Sequence, residues 1–279
     1  MAQIPDISTW VGQTETRTDH LTLQPAQFMQ ATLGRDVDLV AGDMLPPLWH
    51  WMYFLEARPL GQLGRDGHPK RGGFLPPVAL PRRMWAGGRF TFSAPLILGA
   101  DVRKVSTIDK VSEKEGRTGR LCFVTVRHDI YRGDVLALSE EHDIAYREDP
   151  SPDAPSPVPQ PAPDTADWSE EITPSQVQLF RYSALTFNGH RIHYDVDYAR
   201  EVEGYDGLVF HGPLTATLLL DLGLRKLGVT LPKSFDFRAL APIAGAAPFF
   251  IEGRVTATGA DLWARRSDGA LAMRATVEA

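Results

Sequence analysis

The chain has 279 residues, 43% hydrophobic and 23% charged, and its 29 Lys and Arg against 35 Asp and Glu give a net charge of -6. This composition excludes a disordered or fibrous chain, and the acidic balance excludes the basic footprint that nucleic acid demands. One cysteine, Cys122, no basic-then-apolar segment in residues 1–10 and no apolar run of bilayer length predict a cytoplasmic protein without a membrane partner.

In chain order, residues 25–33 read as a helix closed by Gly34, followed by an aromatic-rich stretch at 47–56. Segments 121–131 and 135–146, separated by Arg132-Gly133-Asp134, read as an antiparallel hairpin. Between Pro150 and Pro163 seven of fourteen residues are proline, which removes ladder donors and favours extended backbone. The expected division is therefore 1–149, a linker at 150–167, and 168–279. Segments 251–258 and 270–277, with the turn Ser267-Asp268-Gly269, repeat the β pattern. Phe90, Ala94, Pro95 and Leu96 recur 147 positions later as Phe237, Ala241, Pro242 and Ile243, which suggests an internal duplication. The strongest helix is predicted over Gly212–Leu227, with Pro213 in the first turn and Gly228 ending it. Its leucines cover most of the circumference, as expected of a helix enclosed by a curved sheet.

Titratable residues crowd into Asn188-Gly189-His190-Arg191-Ile192-His193-Tyr194-Asp195, followed by His211-Gly212-Pro213. Histidine exchanges protons near neutral pH, so the cluster points to acid–base chemistry. The same His190, His193 and Asp195 could instead ligate zinc or iron, although no familiar metal motif accompanies them. Gly212, at the expected helix start, can present an unpaired backbone N–H to a developing oxyanion.

At these residues the chain resembles the MaoC-like hydratase and dehydratase family, whose hotdog domains act on coenzyme A or carrier-protein thioesters. The family pattern is Asp-x-Asn-Pro-x-His with a later helix-start Gly. Here His193 and Gly212 match, while Asn188 stands for the Asp, His190 for the Asn and Arg191 for the Pro. The run from Ala184 to Asp195, together with Arg82-Arg83-Met84-Trp85-Ala86-Gly87-Gly88, is similar to double-hotdog 3-hydroxyacyl-thioester dehydratases and itaconyl- or mesaconyl-C4-CoA hydratases.

The resemblance implies an α+β double hotdog, with two curved antiparallel sheets each wrapped around a central helix. It implies a hydro-lyase that hydrates a 2-enoyl-CoA, a short branched dicarboxylyl one such as itaconyl- or mesaconyl-C4-CoA giving citramalyl-CoA. Alternatives are a dehydratase of longer 3-hydroxyacyl chains, a hotdog thioesterase and a noncatalytic acyl-thioester binder. No metal or redox cofactor is expected, because coenzyme A enters as part of the substrate. His193 is expected to move the proton of water, with Asn188 orienting the water or the imidazole, His190 or Asp195 as second acid–base partner and Gly212 at the oxyanion. Substrate-binding positions are Arg191, Arg82, Arg83, Trp85 and His211, with Lys70, Arg71 and Arg181 as further cations for phosphate. The first half, whose histidines (including His68) look scattered, is expected to be a degenerate hotdog completing one pocket. A homodimer is allowed but not required.

Overall fold

The computed structural model describes residues 6–70, 72–116, 119–149 and 158–279; Arg71 and the first part of the proline-rich segment, 150–157, lie outside them. Before the linker come β1 (Thr14–His20), α1 (Leu23–Thr32), β2 (Arg82–Phe92), β3 (Asp101–Gly116), β4 (Gly119–Arg132) and β5 (Val135–Arg147). After it come β6 (Trp168–Ile172), α2 (Gln176–Leu185), α3 (Gly212–Leu227), β7 (Ser234–Ala239), β8 (Phe249–Val255), β9 (Gly259–Arg266) and β10 (Leu271–Glu278).

The strands form one antiparallel sheet in the order β1-β3-β4-β5-β2-β7-β10-β9-β8-β6. Reversing the second five reproduces the first five, so the halves are related by a pseudo-twofold axis between β2 and β7. There Gly88 pairs with Phe237 and Phe90 with Phe235, and the rings of Phe90 and Phe237 stack at 6.1 Å. The two repeat phenylalanines thus meet at the axis. Isolated bridges Met44–Ile97 and Val209–Ala244 extend the correspondence, with Ile97 and Ala244 at the same offset of 147 residues. The two expected sheets are therefore hydrogen-bonded edge to edge into one.

Helix α3 has the predicted bounds, and Gly228 ends it in the left-handed region at φ 68°. Leu214, Leu218, Leu219, Leu220 and Leu222 are buried against the surrounding sheet; each contributes about 1.5 to 3 kcal/mol. Arg225, in the last turn, bridges Asp221 and Glu170 of β6 and fixes the far end of the helix.

The first half departs from the expected central helix. Leu45 N–H donates to Leu96 as Phe210 N–H donates to Ile243, both at 2.8 Å, so the chain enters both cores alike. Where α3 then begins, the first half instead has Pro46-Pro47, left-handed Leu48 (φ 69°) and one 3-10 turn, Trp49–Met52, before left-handed Phe54 (φ 57°). Two successive prolines and two such backbone reversals cannot sustain a helix. Helix α1 packs instead against α2.

The short turn is secured by Glu140 of β5, which is buried. Its Oε2 accepts from His50 Nε2 at 2.9 Å and its Oε1 from Trp51 Nε1 at 3.1 Å. Burial opposes ionisation, but the hydrogen bond and field of His50 hold the Glu140 pKa down to about 2. Glu140→Ala should cost about 3 kcal/mol or more by stranding both donors, a loss of several degrees in Tm by calorimetry. A depressed carboxylate pKa adds stability above the ordinary value of 4.5, and that contribution fades as pH falls toward 2. An unchanged Tm would remove this anchoring role.

Candidate active site

His193 ends the 3-10 turn Arg191–His193 and is 7% exposed. Its Nδ1 lies 2.7 Å from the carbonyl oxygen of Val209. A carbonyl only accepts, so Nδ1 carries the hydrogen and Nε2 keeps its lone pair. The ring stacks at 3.6 Å and 19° on His211, which caps α3 immediately before Gly212. Burial pushes the His193 pKa down to about 3, so the imidazole is a neutral base at physiological pH.

His211 itself is fully buried. Its Nε2 meets Ser183 Oγ of α2 at 2.9 Å, Tyr182 crosses its edge at 4.9 Å, and Nδ1 has no partner. The expectation that His211 contacts substrate is therefore corrected: enclosed on all sides, it is the platform beneath His193. Gly212 opens α3 with free space where a side chain would stand, so the positive end of the helix begins beside the stacked pair.

Two other expectations change. Asp195 accepts two hydrogen bonds from Arg191, at 3.0 and 2.7 Å, and caps the N–H of Tyr198 at 3.0 Å, so its charge is spent locally. Asn188 Oδ1 accepts from the N–H of His190 at 3.0 Å, shaping the turn rather than touching His193. Short polar side chains readily bond to their own backbone in this way. The His190–His193–Asp195 metal constellation is not assembled.

The residues that sequence reasoning missed come from the first half. The loop 64–68 docks onto 188–191: Arg191 N–H donates to the Asp66 carbonyl at 2.9 Å and Arg191 Nη1 to that of Arg65 at 3.2 Å. Gly67 (φ 87°) and Gly189 meet backbone to backbone, with no room for a Cβ on Gly67. This brings His68 to 4.2 Å from His190, ring to ring, and His190 lies 5.5 Å from His193. His68 Nδ1 contacts Asp66 Oδ2 at 3.1 Å, and its backbone N–H donates to Oδ1, also at 3.1 Å. Asp66, His68 and His190 have ligand atoms within 4.8 Å of one another, so they could also hold a metal ion. The signal available was Asp66-Gly67-His68 itself, a titratable pair in a glycine-bearing loop.

Among the arginines, Arg82 bridges Asp149 at 3.0 Å and Glu203 at 3.4 Å, tying the two halves together. Arg191 is held by Asp195 and lies over the Tyr198 ring at 4.1 Å. Lys70 and Arg181 are exposed and donate to backbone carbonyls. Arg83 differs: half-buried on β2, its side chain has no hydrogen bond or ion pair to any described residue. Its charge bears on His68, His142 and His190. Trp85, two residues along, packs against His142 at 4.1 Å and Trp51 at 4.8 Å. No helix among the described residues is long and apolar enough to cross a membrane.

The profile of the hydroxyacyl-thioester dehydratase type 2 family matches residues 48–245. The chain is 46% identical over 275 residues to mesaconyl-C(4)-CoA hydratase of Chloroflexus aurantiacus, covering 98% of both. It is 28% identical over 256 residues to the mitochondrial hydroxyacyl-thioester dehydratase type 2 of Schizosaccharomyces pombe, covering 80% of this chain and 84% of that one. In fold it is similar to a MaoC-like dehydratase from Phytophthora capsici, with TM-score 0.73, 14% identity and coverage of 99% and 98%. It is also similar to a Mycobacterium tuberculosis protein described as a double hotdog, with TM-score 0.56, 14% identity and 96% of both chains covered.

Proposed function

The chain belongs to the hydroxyacyl-thioester dehydratase type 2 family, and from that premise we propose that it hydrates a short branched dicarboxylyl 2-enoyl-CoA, mesaconyl-C4-CoA, to citramalyl-CoA. It is a hydro-lyase. The observation that carries the reaction is His193: a neutral imidazole whose tautomer is fixed by Val209 leaves Nε2 as a base beside the start of α3.

Water attacks C3 as its proton passes to His193 Nε2, and electron density moves through C2 onto the thioester oxygen. The N–H groups at the start of α3, Gly212 first, stabilise that oxygen by a few kcal/mol. Addition of a proton at C2 completes the hydration. His211 and Ser183 hold the His193 ring in place, and no step requires a redox group or a metal.

Arg83 supports the dicarboxylyl reading, because a half-buried guanidinium without an internal partner suits the free carboxylate of such an acyl group. The 46% identity to a mesaconyl-C(4)-CoA hydratase points the same way. The test follows enoyl absorbance with crotonyl-, long-chain enoyl- and mesaconyl-C4-CoA, assaying free thiol in parallel. Mesaconyl-C4-CoA should react fastest without thiol release. Preference for the long-chain substrate would support the dehydratase alternative, and released thiol would mean hydrolysis. Arg83→Met should lower kcat/KM for mesaconyl-C4-CoA by about 10- to 100-fold, the worth of about 1.5 to 3 kcal/mol for a charged hydrogen bond. Its kcat/KM for crotonyl-CoA should stay within about threefold. Equal losses on both would contradict the assignment of Arg83 to the distal carboxylate.

A further inference from the structure

Hydration puts hydroxide on C3 and a proton on C2, so a second group must form the C2–H bond while His193 receives the proton from water. The second half offers little for that task. Asn188 is an amide and cannot exchange a proton near neutral pH. Asp195 is engaged by Arg191 and the Tyr198 N–H. The His190 side chain has no hydrogen-bond partner among the described residues to stabilise an added proton.

The first half brings what is missing. The loop 64–68 is fixed on the second half through Gly67 and Gly189 and through both hydrogen bonds from Arg191. It carries His68 to the end of a row of rings, His68, His190, His193 and His211, spaced 4.2, 5.5 and 3.6 Å apart. Of these four, His68 has a carboxylate against a ring nitrogen, with Asp66 Oδ2 3.1 Å from Nδ1. Asp66 thus directs Nε2 away from itself and can balance an imidazolium, as an orienting carboxylate does for a catalytic histidine.

We propose that His68, positioned by Asp66, is the second proton-transfer residue, giving its Nε2 proton to C2 while His193 Nε2 takes one from water. This rests on the hydratase reading above. The balance is complete: water supplies the hydroxide bonded to C3 and the proton now on His193, and His68 supplies the hydrogen bonded to C2. Exchange with solvent then moves one proton from His193 back to His68. Dehydration runs the same steps in reverse, with His68 removing the C2 proton.

The groups facing His68 set its pH behaviour. They are Asp66 on its own loop, Arg83 on β2, Glu203 after the turn Tyr198–Val202, and His190 and His193 of the second half. Burial, the largest influence, lowers its pKa below the ordinary 6.5, and Arg83 lowers it further, while Asp66 and Glu203 raise it. A donor must begin protonated, so kcat/KM for hydration should fall as pH rises through the His68 pKa. Removing the carboxylate should move that fall to lower pH.

The experiment compares wild type, H68N and D66N with mesaconyl-C4-CoA, as pH profiles, as binding of citramalyl-CoA, and as deuterium exchange at C2 of citramalyl-CoA in D2O. H68N should lose about 100-fold or more in kcat and lose C2 exchange while binding citramalyl-CoA within about threefold. D66N should shift the alkaline fall downward, which serves as a separate readout should H68N fail to fold. EDTA should leave the wild type active. Activity of H68N within about threefold of wild type, an unmoved profile in D66N, or loss of wild-type activity to EDTA with recovery on adding zinc would each overturn the proposal. Failure of the wild type on every enoyl thioester would overturn the hydratase reading itself. A silent His193→Gln beside an active H68N would leave that reading standing and remove only His68.

Discussion

His193→Gln should reduce kcat for enoyl-CoA hydration by on the order of 1,000-fold, with the dissociation constant of the thioester changed by less than about threefold. Glutamine can still donate an amide hydrogen toward the Val209 carbonyl, so the packing on His211 should persist. What disappears is the Nε2 lone pair, which is the base. Without it, water must attack undeprotonated, and the start of α3 alone can stabilise only the oxyanion. The pKa of His193, pushed down to about 3 by burial, gives the sign of its pH effect. Its base form persists across the neutral range and is lost only in strong acid. A variant retaining a tenth of wild-type kcat would show that His193 does not activate water.

Gly67→Ala should be nearly as damaging although the residue has no functional group. A Cβ there would overlap the Gly189 carbonyl oxygen, and φ of 87° is a conformation that alanine adopts only with strain. The loop must lift from 188–191, weakening both hydrogen bonds from Arg191 and carrying Asp66 and His68 away from His190. A kcat loss on the order of 100-fold is expected, accompanied by a Tm decrease of a few degrees, because the strain is about 1 to 3 kcal/mol. Near-normal turnover in a folded Gly67→Ala protein would show that the docked loop is dispensable.

Local punctuation explains much of what could be read in advance. Pro213 and Gly228 bracket α3, and a residue set to stop a helix does so whatever packs around it. The Phe90 and Phe237 repeat was visible because both copies occupy the same place beside the pseudo-twofold axis. Strand β9 was not singled out, because Leu262, Trp263 and Ala264 are all buried in succession and obscure the two-residue alternation. The missing central helix of the first half depends on left-handed Leu48 and Phe54, residue types whose sequence gives no warning of that conformation.

The site divides in the same way. His193 stood out because its motif is local and its partner Val209 lies nearby in the chain. Asn188, Asp195 and His211 lie near His193 in the motif or at the helix start, yet each is engaged by a neighbouring backbone or side-chain group. The Asp66–His68 pair escaped notice because it joins His190 only through the docking of one half on the other, which no short-range pattern encodes.

The most direct measurement is the mass of the product formed from mesaconyl-C4-CoA by the wild type, with the His193→Gln protein run alongside under identical conditions. The thioester should gain one water with the wild type and return unchanged with the variant. Release of free coenzyme A, or equal water addition by both proteins, would contradict a hydro-lyase built around the His193 imidazole.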